Sequence, residues 1–226
     1  MRAAFLQAGA DIRFAAILVK SIRTYHPRAE IVQCSDEASP QVPGVDEVIR
    51  GGSARGRLMM FRTSLFARVA VTQPTLFLDT DMICIGTVEL EAALGAHSVA
   101  VCTREFDRGG PFNINFRGMM MTEHAGKTLG EVYPYLGCAT IVHNAPFWAD
   151  CVAAYDVLPQ KYREWYGDQE VIRDLVRAGR HTFAELPESV FACLPERANE
   201  KAKILHYKGE QRKGLMLKHA NERGLI

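Results

Sequence analysis

The sequence predicts an α/β protein with a mostly parallel sheet and helices on both faces. Apolar runs of strand length alternate along the chain with segments whose apolar residues recur at helical spacing. This alternation is typical of parallel sheets whose strands are joined by crossover helices. No internal repeat, low-complexity tract or interdomain linker interrupts the chain. We therefore expect a single domain over residues 1–226.

Seven short apolar or β-branched runs are the predicted strands. They cover residues 3–6, 30–34, 46–49, 75–78, 99–103, 139–143 and 204–207. The third strand lies within a predicted loop-rich stretch, residues 39–56, where prolines and glycines recur. Because the other strands are separated by helical patterns, most of them are expected to run in the same direction.

Four segments with apolar residues at helical spacing are the predicted helices. The first begins after Asp11, which is placed to cap it, and Pro27 ends it. The second carries apolar residues from Leu58 to Val69, and the third covers residues 147–155. The fourth covers residues 168–176, with Asp168 as its N-cap. Residues 104–118 contain Gly and Pro and are predicted to form a long loop of the kind that often covers a site.

The composition excludes several classes of protein. Of the 226 residues, 48% are hydrophobic and 23% are charged, which is typical of a soluble globular chain. The formal net charge of +1 provides no global basic field for nucleic acid. There is no apolar run of about 18 residues that could span a membrane. Gln7 interrupts the weakly apolar N-terminus, so we interpret that segment as a buried strand rather than a signal peptide.

The six cysteines form no Cys-x-x-Cys pair. The sequence therefore indicates neither a zinc ribbon nor a thiol redox motif. Most of the cysteines lie in apolar surroundings, where they pack as small hydrophobic residues. This usage suits a reducing compartment, and we expect a cytoplasmic protein.

Two aspartates at the end of the fourth strand are the most informative feature of the chain. Asp79 and Asp81 are separated by Thr80, and alternation along extended chain puts both carboxylates on one side. They repel each other unless a cation or a basic group shares the site. Mg²⁺ and Mn²⁺ take oxygen ligands and keep positions open for phosphate. An isolated Asp-x-Asp is also compatible with an acidic turn, since turns favour Asp.

Two helical segments add candidate residues. Arg62 lies on the helix before the aspartates, where it could pair with Asp79, clamp phosphate or remain a solvated cation. Asp168 and Gln169 follow Gly167 at the start of the fourth helix. An ordinary helix start explains Asp168 equally well, and Gln169 could be solvated.

The last predicted strand ends in His206, and neutral imidazole is a metal ligand. A basic turn is expected after it, over residues 208–214, with positive charge from Lys208, Arg212 and Lys213. Gly209 lets the backbone approach phosphate closely. Taken alone, a basic segment of this kind is usually solvated, and a lone histidine is usually structural.

Taken in order, these segments resemble the GT-A-fold nucleotide-sugar transferases of the glycogenin and bacterial lipopolysaccharide galactosyltransferase type, the family-eight-like glycosyltransferases. Three motifs carry the resemblance: Leu78-Asp79-Thr80-Asp81 for Asp-x-Asp, Gly167-Asp168-Gln169 for the Asp-Gln motif, and His206-Tyr207-Lys208-Gly209 with Arg212 for His-[Phe/Tyr]-x-Gly-x-x-Lys. Arg62 and the Phe-Trp pair at 147–148 lie at similar offsets. The resemblance covers residues 1 to about 215. This chain has Leu136-Gly137-Cys138-Ala139 where the family has Asn-[Ala/Ser]-Gly.

The resemblance implies a metal-dependent glycosyltransferase that moves a sugar from a UDP-sugar to an acceptor hydroxyl with retention of anomeric configuration. It implies three groups of binding residues: Asp79, Asp81 and His206 for Mn²⁺ or Mg²⁺; Arg62, Asp79, Thr80, Lys208, Gly209 and Arg212 for the ribose and phosphates; and Gln7, Ala8 and Asp11 for the base. Asp168 and Gln169 would be catalytic. Asp168 would bind sugar hydroxyls, and the Gln169 carbonyl would support the developing positive charge.

Other interpretations stay open. A haloacid-dehalogenase phosphatase also uses a strand-borne Asp-x-Asp, but its signature has Thr or Val two residues after the second Asp, where this chain has Ile83. A non-catalytic nucleotide-sugar-binding module and a nucleotidyltransferase are further alternatives. The sequence does not identify the acceptor, which could be a glycan, protein, lipid or modified nucleic acid. The 104–118 loop and residues 218–223 are expected to face it.

Overall fold

The computed structural model describes residues 1–53, 57–116, 119–163 and 167–226. Eleven strands lie within those residues. They are β1 (Arg2–Gln7), β2 (Glu30–Asp36), β3 (Glu47–Gly51), β4 (Thr75–Leu78), β5 (Met82–Cys84), β6 (Val99–Thr103), β7 (Asn115–Phe116), β8 (Met119–Met120), β9 (Tyr135–Val142), β10 (Phe183–Pro187) and β11 (Ile204–His206).

Seven of these strands form one sheet in the order β10-β6-β9-β4-β1-β2-β3. Strand β9 runs antiparallel to its neighbours β4 and β6, and the other pairs are parallel. The predicted mostly parallel sheet is therefore confirmed. The carboxyl ends of β1, β4 and β6 and the amino end of β9 consequently meet at one edge of the sheet.

Eight α-helices are present in the described residues. They are α1 (Arg13–Tyr25), α2 (Leu58–Phe66), α3 (Leu90–Leu94), α4 (Leu129–Val132), α5 (Phe147–Val157), α6 (Gly167–Ala178), α7 (Glu188–Phe191) and α8 (Glu210–Glu222). Three short 3₁₀ turns cover Thr122–His124, Gln160–Tyr162 and Pro195–Arg197. No helix in the described ranges is both long and apolar enough to cross a membrane.

Helices cover both faces of the sheet, as the sequence predicts. Successive residues of β4 point to opposite sides, so that Leu76 packs with Leu18 of α1 while Phe77 packs on the other face. On that second face the rings of Phe66, Phe77 and Trp148 lie 4.9–5.2 Å apart, centroid to centroid. These aromatic contacts hold α2 and α5 against the sheet.

Both predicted helix caps are wrong in detail. Helix α1 begins at Arg13, and its N-cap position is Ile12. Asp11 lies one residue earlier, where its carboxylate accepts the backbone N–H of Arg13 at 3.0 Å and pairs with the guanidinium of the same residue. Asp168 is inside α6 rather than before it, and its carboxylate is turned to an arginine instead of the helix N–H groups.

Several element bounds also differ from the prediction. Strand β9 begins at Tyr135, four residues earlier than expected, and α2 ends at Phe66 rather than Val69. Strand β10 was not predicted, because its residues are only partly buried and show no apolar run. The 104–118 stretch is loop until β7. Residues 117–118 of this predicted loop and residues 54–56 of the other predicted loop lie outside the described ranges.

The last predicted strand is present, but it does not join the main sheet. Strand β11 pairs antiparallel with β5, with His206 opposite Met82. The basic turn predicted for residues 208–214 is wrong beyond Gly209, since α8 begins at Glu210. Buried Met216 and Ala220 anchor that helix against the protein.

Candidate functional site

A cleft of about 630 Å³ opens at the sheet edge where β1, β4 and β6 end. Ligands of open α/β sheets bind at such edges. All of the predicted site residues except Arg212 line this cleft: Gln7, Ala8, Asp11, Arg62, Asp79, Thr80, Asp81, Asp168, Gln169, His206, Lys208 and Gly209. Residues as far apart in the sequence as Gln7 and Gly209 therefore share one cleft.

Asp79, Asp81 and His206 converge in this cleft. One ligand atom from each of the three lies within 4.8 Å of the others. His206 reaches the aspartates because β11 pairs with β5, and the Tyr207 N–H donates to the Asp81 carbonyl at 2.8 Å. His206 Nε2 is 3.4 Å from Asp81 Oδ1. Two carboxylates and an imidazole at this separation can surround a single cation.

The charges of this cluster depend on one another. Burial acts to raise the pKa of Asp81, but the hydrogen bond and charge of His206 lower it below its usual range. Burial acts to lower the pKa of His206, whereas Cys138 and Asp81 beside it raise that pKa to about 10. Without a cation the imidazole is therefore protonated near neutral pH. Its positive charge then offsets the negative charge of the carboxylates, as a metal ion would.

Arg62 joins two parts of the site. Its guanidinium donates to Asp79 Oδ1 through Nη1 and to Asp168 Oδ2 through Nη2, the second at 2.7 Å. Burial opposes the charge of Arg62, but the two carboxylates raise its pKa above the ordinary value. The side chain is 6% exposed. Both terminal nitrogens thus serve carboxylates of the protein, so Arg62 positions Asp79 and Asp168.

The start of β9 packs directly against this pair. A Cβ on Gly137 would lie 2.5 Å from Asp168 Oδ2 and 2.9 Å from Arg62 Nη2, so a larger residue there would displace this ion pair. The backbone N–H of Asp79 donates to the Cys138 carbonyl at 3.0 Å. The glycine therefore permits the close approach that lets Arg62 reach across to α6.

Gln169 is held by a residue that the sequence analysis did not single out. Arg104 donates from Nη2 to Gln169 Oε1 at 2.9 Å and from Nε to the Tyr133 carbonyl at 2.8 Å. Since arginine has only donors, the contact fixes the Gln169 amide with its oxygen towards Arg104. Arg104 directly follows β6, whose carboxyl end lies at the same edge as that of β4, and that placement is the feature that could have identified it.

Backbone and basic groups around the start of α8 also line the cleft. Gly209 has a φ of +86° and precedes α8 without a side-chain cap. Lys208 and Lys213 line the cleft, and Lys208 Nζ is 3.1 Å from the buried carboxylate of Glu188. Arg212 instead points away to Glu196 and donates to the Lys208 carbonyl, which does not support the phosphate contact expected for it.

The end of β1 and the loop after it also line the cleft. Gln7 is buried, and its side-chain amide donates to the carbonyls of Gly9 and Asp11 at 2.9 and 3.1 Å. Gln7 therefore shapes the loop that carries Ala8 and Asp11 into the cleft.

No protein-family model and no curated protein matches the sequence. Solved structures do match. The glycosyltransferase GlyE of Streptococcus pneumoniae TIGR4 aligns with a TM-score of 0.60 and 13% identity over 99% of this chain and 64% of GlyE. The galactosyltransferase LgtC, in complex with donor and acceptor sugar analogs, aligns with a TM-score of 0.55 and 12% identity over 100% of both chains. The chain has a GT-A-like fold.

The GT-A-like fold confirms the architecture that the sequence resemblance implied. An active-site variant of LgtC matches as well, with a TM-score of 0.57 and 13% identity over 100% of both chains. Identities of 12–13% establish a shared fold and not a shared activity. The chain spans 64% of the length of GlyE.

Proposed function

We propose that this chain is a metal-dependent glycosyltransferase that transfers a sugar from a UDP-sugar to an acceptor hydroxyl with retention of anomeric configuration. The observation that carries the proposal is the convergence of Asp79, Asp81 and His206 at the strand-end edge of a GT-A-like sheet. The likeness to a glycosyltransferase and a galactosyltransferase supports it.

The donor set of the cleft fits Mn²⁺ or Mg²⁺. Carboxylate oxygens with one imidazole suit these ions, and the three ligand atoms are close enough to share one. Asp79, Asp81 and His206 would hold the ion. When bound, it would neutralise the diphosphate and the charge that grows on the leaving UDP. The protonated imidazole of the metal-free protein would give up its proton on binding.

The start of α8 would bind the diphosphate. The first N–H groups of a helix have no intrahelical acceptor and favour an anion. Gly209 lets that backbone approach closely, and Lys208 and Lys213 would add positive charge. Arg212 would act indirectly, by holding the Lys208 carbonyl. Gln7, through the loop that bears Ala8 and Asp11, would shape the site of the base, and Thr80 would lie beside the nucleotide.

Asp168 and Gln169 would line the reacting carbon of the donor sugar. Asp168 Oδ2 is engaged by Arg62, and Oδ1 is buried in the cleft wall with no hydrogen-bond partner among the described residues. A sugar hydroxyl would satisfy that oxygen. Gln169 would face the anomeric carbon, and the leaving phosphate oxygen would accept the proton of the attacking hydroxyl on the same side of the sugar.

The phosphatase alternative has less support. A nucleophilic aspartate needs a free carboxylate, whereas Asp79 is hydrogen-bonded by a buried arginine. The match to glycosyltransferase structures over nearly the whole chain also favours the transferase.

Thermal-shift measurements with UDP-, GDP- and TDP-sugars, each with and without Mn²⁺, test the proposal. Ligand binding to the native state raises the melting temperature by mass action. We expect the largest rise with a UDP-sugar and Mn²⁺ together, and slow release of UDP from that donor by hydrolysis. Release of inorganic phosphate or pyrophosphate would contradict the proposal, as would equal melting temperatures in all conditions.

A further inference from the structure

Arg104 is a buried cation in the cleft wall, and no carboxylate of the described residues compensates its charge. It is 7% exposed and lines the cleft. Among the residues that the structure describes, no Asp or Glu forms an ion pair with it, whereas Arg62 in the same cleft has two carboxylate partners. A buried charge without a partner is costly, and an anionic ligand bound in the cleft would offset that cost.

The hydrogen bonds of Arg104 point to the same conclusion. Nε and Nη2 donate to neutral oxygens, the Tyr133 carbonyl and Gln169 Oε1. These contacts hold the guanidinium plane in place without cancelling its charge. Within the described part of the chain, no acceptor is bonded to Nη1. The side chain is thus oriented beforehand with donors to spare, and this arrangement suits a planar anion that accepts two parallel N–H bonds.

Apolar side chains also line the cleft that Arg104 lines. Leu136 lies in the strand that pairs with β6, and with Leu129 it lines the cleft. Neither side chain can hydrogen-bond a sugar hydroxyl. Their low polarity would strengthen an ionic contact to Arg104, since charges interact more strongly where the effective dielectric constant is low.

We propose that the donor sugar carries a carboxylate, as in a nucleotide-activated uronic acid, and that Arg104 binds this carboxylate. The inference rests on the proposed function, in which Gln169 lines the donor sugar. Because Arg104 is hydrogen-bonded to Gln169, a carboxylate on the sugar ring would lie within reach of its remaining donors. The phosphates are assigned to the metal ligands and the start of α8, and they leave Arg104 unneutralised.

Calorimetric titration in Mn²⁺ with matched donors tests the inference. The pairs are UDP-glucuronate against UDP-glucose and UDP-galacturonate against UDP-galactose, with UDP alone as reference. We expect the wild type to bind at least one uronate about tenfold more tightly than its neutral partner, a difference of about 1.4 kcal/mol. Arg104→Gln should lose this preference and bind UDP as the wild type does, while Arg104→Lys should keep part of it.

Arg177→Gln is the matched control, because Arg177 is an exposed arginine on α6 outside the cleft. It should retain the full preference.

Equal binding of uronate and neutral donors by a wild type that binds UDP would overturn the inference and leave the proposed function intact. That result would also follow if the carboxylate belonged to the acceptor. A uronate preference that survives in Arg104→Gln would overturn it too, and a wild type that binds no UDP would overturn both proposals.

Discussion

Arg62 and Asp168 are 106 positions apart in the sequence, yet Arg62 Nη2 donates to Asp168 Oδ2 at 2.7 Å. The contact links α2 to α6 across the start of β9, and the same guanidinium reaches Asp79. One buried cation therefore fixes a candidate metal ligand and a candidate catalytic carboxylate relative to each other. Its removal should affect both the stability of the protein and the geometry of the site.

Replacing Arg62 with methionine should strongly destabilise the protein. The variant leaves the carboxylates of Asp79 and Asp168 partly buried without their partner. Breaking one side of a buried ion pair costs about 3–5 kcal/mol in the free energy of unfolding. Urea denaturation followed by circular dichroism would measure this loss.

The control for Arg62 is Arg13→Met, which breaks the exposed pair with Asp11. Exposed ion pairs contribute little to stability, so the unfolding midpoint should barely move. If Arg62→Met unfolds at the same urea concentration as Arg13→Met, the buried bridge is not a structural link and Asp168 is positioned by other contacts.

Asp81→Ala should abolish Mn²⁺-dependent UDP binding without unfolding the protein. Asp81 is one of the three residues that would each provide a ligand atom to the proposed ion. The two remaining ligands would hold a divalent cation weakly. Titration calorimetry with UDP in Mn²⁺ would detect the loss. Asp156→Ala, which removes an exposed carboxylate outside the cleft, should bind as the wild type does. Equal UDP affinity in both variants would show that the metal site is wrongly placed.

Metal affinity should rise with pH. The pKa of His206 is raised to about 10 by Cys138 and Asp81, although burial opposes this shift. A metal ion needs the neutral imidazole, so binding must displace a proton at any pH below that value, and about one proton should be released per ion. Titrations between about pH 6.5 and about pH 8.5, in buffers of different ionisation enthalpy, would count that proton.

The raised pKa of His206 also makes the stability of the metal-free protein depend on pH. The charged imidazole stabilises the fold fully below the unfolded pKa of about 6.5. This contribution is lost as the pH rises through the folded pKa of about 10. Metal affinity that stays constant with pH would mean that His206 is already neutral in the metal-free protein, and that Asp81 does not hold its proton in place.

The sequence predicted the strand-end aspartates and the alternation of strands and helices because both depend on local pattern. Strands that are well buried, such as β1, β2 and β4, contain apolar runs and can therefore be recognised in the sequence. Strand β10 is only partly buried, so its pattern is weak. The prediction of a basic turn was wrong because it rested on the charged residues 208–214, whereas the apolar residues that anchor α8, Met216 and Ala220, lie after them.

Most of the residues that the sequence singled out line one cleft, but the sequence could not supply the contacts between distant elements. The pairing of β11 with β5, which brings His206 to Asp81, depends on three-dimensional register rather than spacing. Arg104 was missed because its role depends on Gln169, which is 65 positions away on another element. Short motifs identify residues whose side chains could bind a ligand or react. Which residues contact them in the fold depends on the topology of the sheet.

Gln169→Ala should reduce kcat far more than it raises the donor KM. If Gln169 faces the anomeric carbon, its contact strengthens in the transition state, so its loss should lower kcat at least about tenfold, or about 1.4 kcal/mol. Slow hydrolysis of the UDP-sugar by water provides an assay before the acceptor is identified. Asp174→Ala on the exposed side of the same helix should be neutral. An unchanged hydrolysis rate in Gln169→Ala would mean that Gln169 takes no part in the reaction.

The start of α8 should become protected from hydrogen exchange only when metal and nucleotide are both present. Gly209 provides no side-chain cap, and the N–H groups of Glu210 and Gln211 have no backbone acceptor among the described residues, so they should exchange readily; the Arg212 N–H already donates to the Gly209 carbonyl at 3.2 Å. In the complex, phosphate oxygens would accept from these N–H groups, while Lys208 and Lys213 would gain anionic partners.

Exchange of residues 209–211 should therefore slow in Mn²⁺ with UDP and hardly change with UDP alone, because the diphosphate would reach the helix only when a metal ion neutralises the carboxylates of Asp79 and Asp81. The opposite end of α8, residues 219–222, is the internal control, since its N–H groups are already bonded within the helix. If both ends are equally protected under all conditions, α8 is a fixed structural element and the diphosphate must bind elsewhere in the cleft.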